Sequence, residues 1–322
     1  MPTKYSTRLQ YRVIEPAKSS NYAGQTDTLD FFICWGSEVM RSLLCLVALC
    51  LTTIATPASA QVTPFNIELN YSAGALPFQS AFEAAEARWE SIITGWTDGT
   101  NITSTNGGNS FYNLGDNLSS MFIEANVGAI DGVGGILGSA GPSEIVNDGN
   151  QWLTTHGAMT FDSADLADLS SDGTLEDVIL HEMGHVLGIG TLWTTNNLYN
   201  NGSGQYTGAN AIAQYQVEFD AGATFVPVEL NGGAGTANGH WDEGSITVID
   251  PNNINFGRTR SGALMTGFLD TTDPYISNTT GGTLEDLGYS INYAAIQGVP
   301  EPSSAVAIIL FGIVGLGRRR RA

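Results

Sequence analysis

The feature that most constrains this chain is the stretch from His181 to Gly188, which has the form H-E-x-x-H-x-x-G. Residues four apart lie above one another on the same face of an α-helix, so His181 and His185 can offer two imidazole nitrogens to one metal ion. Two histidines and one further ligand are usual at a catalytic zinc ion, which keeps its fourth position for water. The pattern therefore predicts a helix that carries two zinc ligands.

The other two fixed positions of the motif fit the same site. Glu182 lies beside the first histidine, where a carboxylate can accept a proton from the metal-activated water. Gly188 is placed to end the helix, because a residue without Cβ lets the chain turn away. Residues 172–177 are rich in N-cap residues and first-turn acids, which favour a helix start. The alternative is a core helix whose histidines only form hydrogen bonds.

Few side chains are available as a third ligand. His156 and His240 are the only other histidines, and all three cysteines precede residue 61. From residue 61 onwards the chain therefore contains neither a disulfide nor a thiolate ligand. We interpret His156, at the start of a predicted strand, as a structural or cleft-rim residue, with metal ligation as the lesser alternative.

The charge of the chain excludes a nucleic-acid partner. The formal net charge is −20, from 12 basic and 32 acidic residues. Between residues 61 and 298 the only basic residues are Arg88, Arg258 and Arg260, so no basic patch can neutralise a phosphate backbone. Such an acidic surface is typical of a soluble exported protein, and its loops permit Ca²⁺ binding, although no motif specifies a calcium site.

Both ends of the chain have features of export signals. Residues 1–39 have no clear periodicity and are interpreted as an upstream mis-start or an extended n-region. Residues 40–60 are predicted to be a signal peptide, with an apolar core and a small-residue cleavage site before Gln61. Residues 298–322 contain a Pro-Glu-Pro box, an apolar run and four arginines. That run is shorter than the ~20 residues that a helix needs to span hydrocarbon unaided.

Periodicity predicts both strands and helices between these ends. Alternation predicts a strand over residues 65–71, and apolar residues at helical spacing predict an amphipathic helix over 78–93. Residues 97–118 are predicted to be a loop. The remaining predicted elements are strands over 121–130, 157–161 and 223–230, a turn-rich stretch before 157, and short helices near 207–215 and 283–287.

Three separate motifs together resemble those of the metzincin zinc peptidases, in particular the leishmanolysin-like branch. They are the helix motif, the pair His240-Trp241, and the sequence Leu-Met-Thr-Gly at residues 264–267. The resemblance covers roughly residues 65–289. It implies that His240 is the third zinc ligand, beyond an inserted subdomain, and that Met265 lies in the Met-turn that passes beneath the metal.

The resemblance implies an α+β zincin fold in two parts. The first part, 61–190, is expected to hold a twisted mixed sheet, a backing helix and the active-site helix. The second, 191–297, is expected to be irregular and to carry the third ligand and the Met-turn. Residues 157–161 are interpreted either as an edge strand on which an extended substrate pairs or as a purely structural strand.

The implied activity is that of a secreted zinc metalloendopeptidase, a hydrolase that acts on proteins or peptides. Zinc would activate a water molecule, with Glu182 as the general base. One alternative is a non-catalytic surface or extracellular-matrix protein with the same fold. Another is an enzyme whose third ligand is a carboxylate, such as Glu218, Asp242 or Glu243.

Residues 298–322 resemble a second known feature, the PEP-CTERM sorting signal. Such tails are recognised by exosortase-type enzymes in Gram-negative bacteria. The resemblance implies transient insertion of a transmembrane helix, with the arginines on the cytoplasmic side and the body at the cell surface or outside the cell. A plain C-terminal anchor is the alternative.

Overall fold

A mixed β-sheet with helices packed on it forms the framework of the protein. The computed structural model describes residues 65–96, 102–103, 117–118, 120–147, 150–268 and 273–298, all within one compact unit. The strands are β1 (Asn66–Tyr71), β2 (Ile93–Trp96), β3 (Ile102–Thr103), β4 (Asn117–Leu118), β5 (Ser120–Gly128), β6 (Gly138–Asn147), β7 (Trp152–Asp162), β8 (Gln205–Tyr206), β9 (Val226–Pro227) and β10 (Tyr289–Ile291). The helices are α1 (Gln79–Ile92), α2 (Leu166–Asp172), α3 (Leu175–Val186), α4 (Ala209–Glu218), α5 (Asn278–Asp286) and α6 (Tyr293–Ile296).

The main sheet has four strands in the order β1-β5-β7-β6. Strands β1, β5 and β7 are parallel, and β6 runs antiparallel to β7. A mixed sheet is therefore confirmed. The interpretation of residues 157–161 as an edge strand is wrong, because β7 pairs with β5 on one side and with β6 on the other. The edge beside β7 is β6.

Strand β6 occupies the stretch that was predicted to be turns. Its glycines, serines and Pro142 have low strand propensity, which hid it from the periodicity. Proline lacks an N–H and is tolerated in edge strands, where a missing donor breaks fewer ladder bonds. The register of β6 against β7 shifts between Pro142 and Glu144 and again between Glu144 and Ile145, so the pairing is irregular just after the proline.

Helix α1 agrees with the predicted amphipathic helix to within one residue at each end and holds α3 in place. The ring of Phe82 contacts those of Tyr71 and Phe161 at centroid distances of 5.8 and 5.3 Å, which fixes α1 on the sheet. The indole N–H of Trp89 donates to the carbonyl oxygen of Leu180 at 3.0 Å. Because Trp89 is fully buried, this bond ties the middle of α3 to α1.

The other predicted elements differ mainly in extent. The helix predicted near 207–215 is α4, the one near 283–287 is the longer α5, and the strand over 223–230 is reduced to β9. Helix α2 was not predicted. The loop predicted over 97–118 contains the short strands β3 and β4, and its other residues lie outside the described part of the chain. The segments 1–60 and 299–322, with the predicted export signals, also lie outside it. Within the part that the structure describes, no helix is long and apolar enough to cross a membrane.

Helices α4 and α5 are joined by the side chain of Glu218, which is 1% exposed. Its carboxylate accepts hydrogen bonds from the backbone N–H groups of Asn278 and Thr279, both at 3.0 Å. It also accepts from the hydroxyl of Thr279 at 2.8 Å and from the amide of Asn253 at 3.1 Å. A negative charge at the first turn of α5 is stabilised further by the helix dipole.

We expect Glu218→Gln to lower the free energy of unfolding by about 3 kcal/mol. The glutamine amide has only one accepting oxygen, and its NH2 group would face donors that now bind the second carboxylate oxygen. Urea unfolding followed by circular dichroism measures this change. The matched control is Asp168→Asn, which removes an exposed acid and should stay within about 0.5 kcal/mol of wild type. Equal stability of Glu218→Gln and wild type would show that the carboxylate does not hold the two helices.

Candidate metal centre

The three histidines singled out by the sequence meet at one point. Helix α3 presents His181 and His185, and His240 approaches from the connection that follows β9. The Nε2 atoms of His181 and His185 are 3.0 Å apart, and they lie 3.1 and 3.0 Å from Nε2 of His240. This group could bind a metal ion, and it is the only set of three or more such ligands among the described residues.

Each imidazole is oriented by a backbone carbonyl. The Nδ1–H of His181 donates to the oxygen of Leu264 at 2.7 Å. That of His185 donates to Ile189 at 2.9 Å, and that of His240 to Thr236 at 2.8 Å. Since a carbonyl can only accept, the proton is on Nδ1 in all three rings, which leaves each Nε2 with a free lone pair.

The geometry of the three rings by itself fits a bound metal ion. Three lone pairs that converge on one point repel one another unless a cation lies between them. Nitrogens held ~2.0–2.1 Å from one ion in tetrahedral geometry lie roughly 3.3 Å apart, close to the separations found here. The carbonyl contacts to the opposite ring nitrogens are those that metal-binding histidines usually make.

Burial keeps the three rings neutral. It lowers the pKa of His181 to about 3, with a smaller contribution from the neighbouring His240. Burial, assisted by the other two rings, lowers the pKa of His185 well below its usual value, and burial lowers that of His240. Near neutral pH all three rings can therefore act as ligands without first losing a proton.

Glu182 lies beside this group, 7% exposed, and lines the same cavity. Burial raises the pKa of its carboxyl group to about 8. A Cβ on Gly138 would lie 3.0–3.1 Å from the Glu182 side chain, so a glycine at the start of β6 makes room for this carboxylate. The position of Glu182 is thus set by α3 on one side and by the edge strand on the other.

Glycines shape the end of α3. Gly188 ends the helix with φ +112°, as the motif predicted, and its N–H donates to the carbonyl of His185 at 3.2 Å. Gly190 has φ +75°, and a Cβ there would lie 2.1 Å from the carbonyl oxygen of Gly239. The hydroxyl of Thr191 donates to the carbonyl of His185 at 2.7 Å, so Thr191 supports the helix end.

Met265 packs against α3 at Gly184. Its side chain is fully buried, and its sulfur lies only 2.7 Å from the position that a Cβ on Gly184 would take. A side chain at position 184 would therefore collide with Met265. The turn that carries it closes with a hydrogen bond from the N–H of Thr266 to the carbonyl of Ala263 at 3.2 Å. The same turn supplies the carbonyl of Leu264 that orients His181.

His240 is held by its flanking backbone and by aromatic packing. Its carbonyl accepts from the N–H of Glu229 at 2.9 Å, and the N–H of Trp241 donates to the carbonyl of Met265 at 3.0 Å. Trp241 stacks on Trp193 at a centroid distance of 4.6 Å. The third histidine is therefore tied to the turn of Met265 and to the segment that follows α3.

A cavity of about 580 Å³ opens at the histidines. One side is formed by the start of β6 and the loop before it, and another by the first turns of α3. The glycine loop 232–239, the segment 261–268 and Pro274 close the remaining sides. The exposed apolar side chains of Ile136 and Phe268 also line it. The cavity is of the size that small molecules or peptide side chains occupy.

The other candidate ligands have different partners. Asp242 accepts from the guanidinium of Arg260 at 2.7 Å, and Glu218 binds the start of α5. Glu243 hydrogen-bonds to Glu229, and its pKa is raised by burial and by that neighbour. His156 lies within β7, 3.9 Å from Glu124. None of these side chains belongs to the three-histidine group.

Neither a scan against models of known protein families nor a search of the curated proteins finds a match to this chain. What can be said of the site therefore rests on its geometry. The sequence did not indicate the three orienting carbonyls, because every residue has one and only the fold selects which accept. The sequence signal for the close packing around the site was the glycine at each of positions 138, 184 and 190. A Cβ at these positions would collide with Glu182, Met265 or the backbone of Gly239.

We expect His240→Ala to abolish tight metal binding near neutral pH, because two imidazoles on one helix leave the ion with too few protein ligands. Metal analysis of the protein after dialysis against trace metal measures this. Glu243→Gln is the matched control and should keep the wild-type metal content. Full metal content in His240→Ala, with loss in Glu243→Gln, would move the third ligand to the carboxylate.

We expect Met265→Ala to destabilise the protein by about 2–5 kcal/mol, because it leaves a cavity beneath α3 that the turn cannot fill. Met265→Leu has nearly the same volume and should cost less than about 1.5 kcal/mol. Urea unfolding of both variants, with metal titrations, separates packing from ligation. If the two substitutions cost the same, the volume under Gly184 is not what supports the helix.

Proposed function

We propose that this protein is a zinc metalloendopeptidase with an α+β zincin fold of the metzincin type. The observation that carries the proposal is the convergence of three imidazole Nε2 atoms beside a buried carboxylate that faces an open cavity. The helix end at Gly188 and the turn of Met265 beneath α3 also support the metzincin type.

Zinc is the metal proposed because three imidazoles and an open position make up a common catalytic zinc site. The residues that would hold it are His181, His185 and His240. When bound, zinc supplies a Lewis acid that polarises a carbonyl group and acidifies water. Several other divalent metals also favour imidazole ligands, so the identity of the metal belongs to the proposal.

Glu182 is the proposed general base. Its carboxylate accepts a proton from the attacking water and passes that proton to the leaving amine of the peptide. Burial raises the pKa of this group to about 8, and a divalent cation in the histidine group favours the charged form and lowers that pKa. Both influences together bring the carboxylate towards a pKa suited to proton transfer near neutral pH.

Strand β6 is the proposed site for the backbone of the substrate. Its residues Gly138, Ser139 and Ala140 line the cavity, and among the described strands only β7 pairs with it. An extended peptide can add to such an edge through backbone hydrogen bonds. Strand β6 therefore replaces β7 as the candidate for strand addition, because the backbone of β7 is already hydrogen-bonded to a strand on each side.

The alternative is a non-catalytic surface or extracellular-matrix protein with the same fold. The position of Glu182 favours the enzyme, because a structural metal site has no use for a buried carboxylate facing a cavity. The proposed location is outside the cell or at its surface, by a signal peptide in residues 40–60 and a sorting signal in residues 298–322. Exosortase processing of that tail is part of the proposal.

We expect Glu182→Gln to fold and bind zinc but to lose peptidase activity by ~10²–10⁴-fold, because glutamine cannot accept the proton. Digestion of casein, with zinc content and circular dichroism measured in parallel, tests this. Glu176→Gln, an exposed position on the same helix, is the control and should remain active.

Equal digestion by wild type and Glu182→Gln would assign the activity to a contaminant or to another site. If neither protein digests any unfolded substrate while both bind zinc, the matrix-protein alternative replaces the enzyme.

A further inference from the structure

The cavity contains one carboxylate that the proposed reaction does not use. Asp177 lies in the first turn of α3, four residues before His181, so its side chain is on the same face of the helix as the metal-site histidines. It lines the cavity together with Val178 and Pro274 and is half-buried. Among the described lining residues, Asp177 and Glu182 are the only acids, and none is lysine or arginine.

Nothing in the described structure neutralises Asp177. Its side chain forms no hydrogen bond or ion pair with any described residue, and its charged neighbours are the acids Glu176 and Asp273. Burial and these two neighbours raise the pKa of Asp177 to about 6, so its carboxylate is mostly charged at neutral pH.

The three arginines between residues 61 and 298 are engaged elsewhere. Arg258 pairs with Asp273 at 3.5 Å, and Arg260 with Asp242 at 2.7 Å. Arg88 donates to the carbonyl of Ala295 at 3.0 Å. No arginine or lysine of the described residues lines the cavity, so a basic side chain of a bound peptide would meet no competing cation of the protein at Asp177.

We propose that Asp177 determines specificity, so that the cleft selects peptides with lysine or arginine at one fixed position near the scissile bond. The inference rests on the proposed peptidase function and names the substrate class of that site. Asp177 is roughly 6 Å from His181 along the helix axis, one helical turn. A lysine or arginine side chain has the length to reach Asp177 from the metal site, with its apolar stem against Val178 and Pro274.

A simpler role for Asp177 is to stabilise the start of α3 through the helix dipole. Glu176 has the same charge in the same first turn, but it is exposed and does not line the cavity. Any effect of charge on the helix, or on the field of the whole protein, is shared by both residues. An effect on a basic substrate side chain belongs to Asp177 alone.

The first experiment maps cleavage sites in a peptide library and then measures kcat/KM for one peptide pair that differs only by Arg or Gln at the preferred position. Wild type is expected to favour Arg, and Asp177→Asn to reduce that preference about tenfold, the effect of one partly buried charged hydrogen bond. Glu176→Gln should leave the preference unchanged. Asp177→Lys should shift cleavage towards peptides with an acid at that position.

The inference is overturned if wild type shows no preference for a basic residue, or if Asp177→Asn and Glu176→Gln reduce the preference equally. Zinc content measured in each variant separates a loss of metal from a loss of specificity. A protein that cleaves unfolded chains without a basic preference contradicts this inference and leaves the proposed function intact.

A second experiment measures binding without turnover, using zinc-loaded Glu182→Gln and the same peptide pair labelled with a fluorophore. The Arg peptide is expected to bind about tenfold more tightly than the Gln peptide, and the addition of Asp177→Asn to remove the difference. Equal affinities for the two peptides in Glu182→Gln would overturn the inference even if no substrate of the wild type is found.

Discussion

The site depends on three hydrogen bonds from imidazole Nδ1 atoms to backbone carbonyls. The carbonyls belong to Leu264, Ile189 and Thr236, which lie in a tight turn, at the end of α3 and in a glycine loop. Each bond fixes both the tautomer and the direction of one ring, so the three lone pairs point at one another. The irregular half of the protein is therefore as necessary to the site as the helix that carries the motif.

Close backbone approaches bring these segments together. Gly184 admits the sulfur of Met265, Gly190 admits the carbonyl of Gly239, and Gly138 leaves room for Glu182. In each case a side chain would push apart two elements that must touch, since packed interiors have little room to yield. The abundance of glycine in this chain is thus, at these positions, a requirement of the site.

The sequence predicted the parts of the site that follow from local spacing. Helical geometry alone brings His181, Glu182 and His185 together, and a glycine at position 188 is suited to end the helix, so the motif predicted all four positions. His240 could be proposed only because histidines are scarce and by resemblance, since a long-range contact leaves no periodic trace. Strand β6 was missed, and β7 taken for the edge, because the glycines and Pro142 of β6 form a strand through pairing with β7 rather than through propensity.

The distance along the chain between His185 and His240 has a consequence for the lifetime of the protein. A metal ion bound to both would close this loop as a cross-link, in a chain whose cysteines all precede residue 61. By the loss of chain entropy, a cross-link over a loop of this length raises the free energy of the unfolded state by roughly 4 kcal/mol. The folded fraction would then follow the supply of free metal, because a ligand that binds only the folded state stabilises it. Without metal the chain would lose this stabilisation, and a larger fraction of it would be unfolded and open to proteolysis.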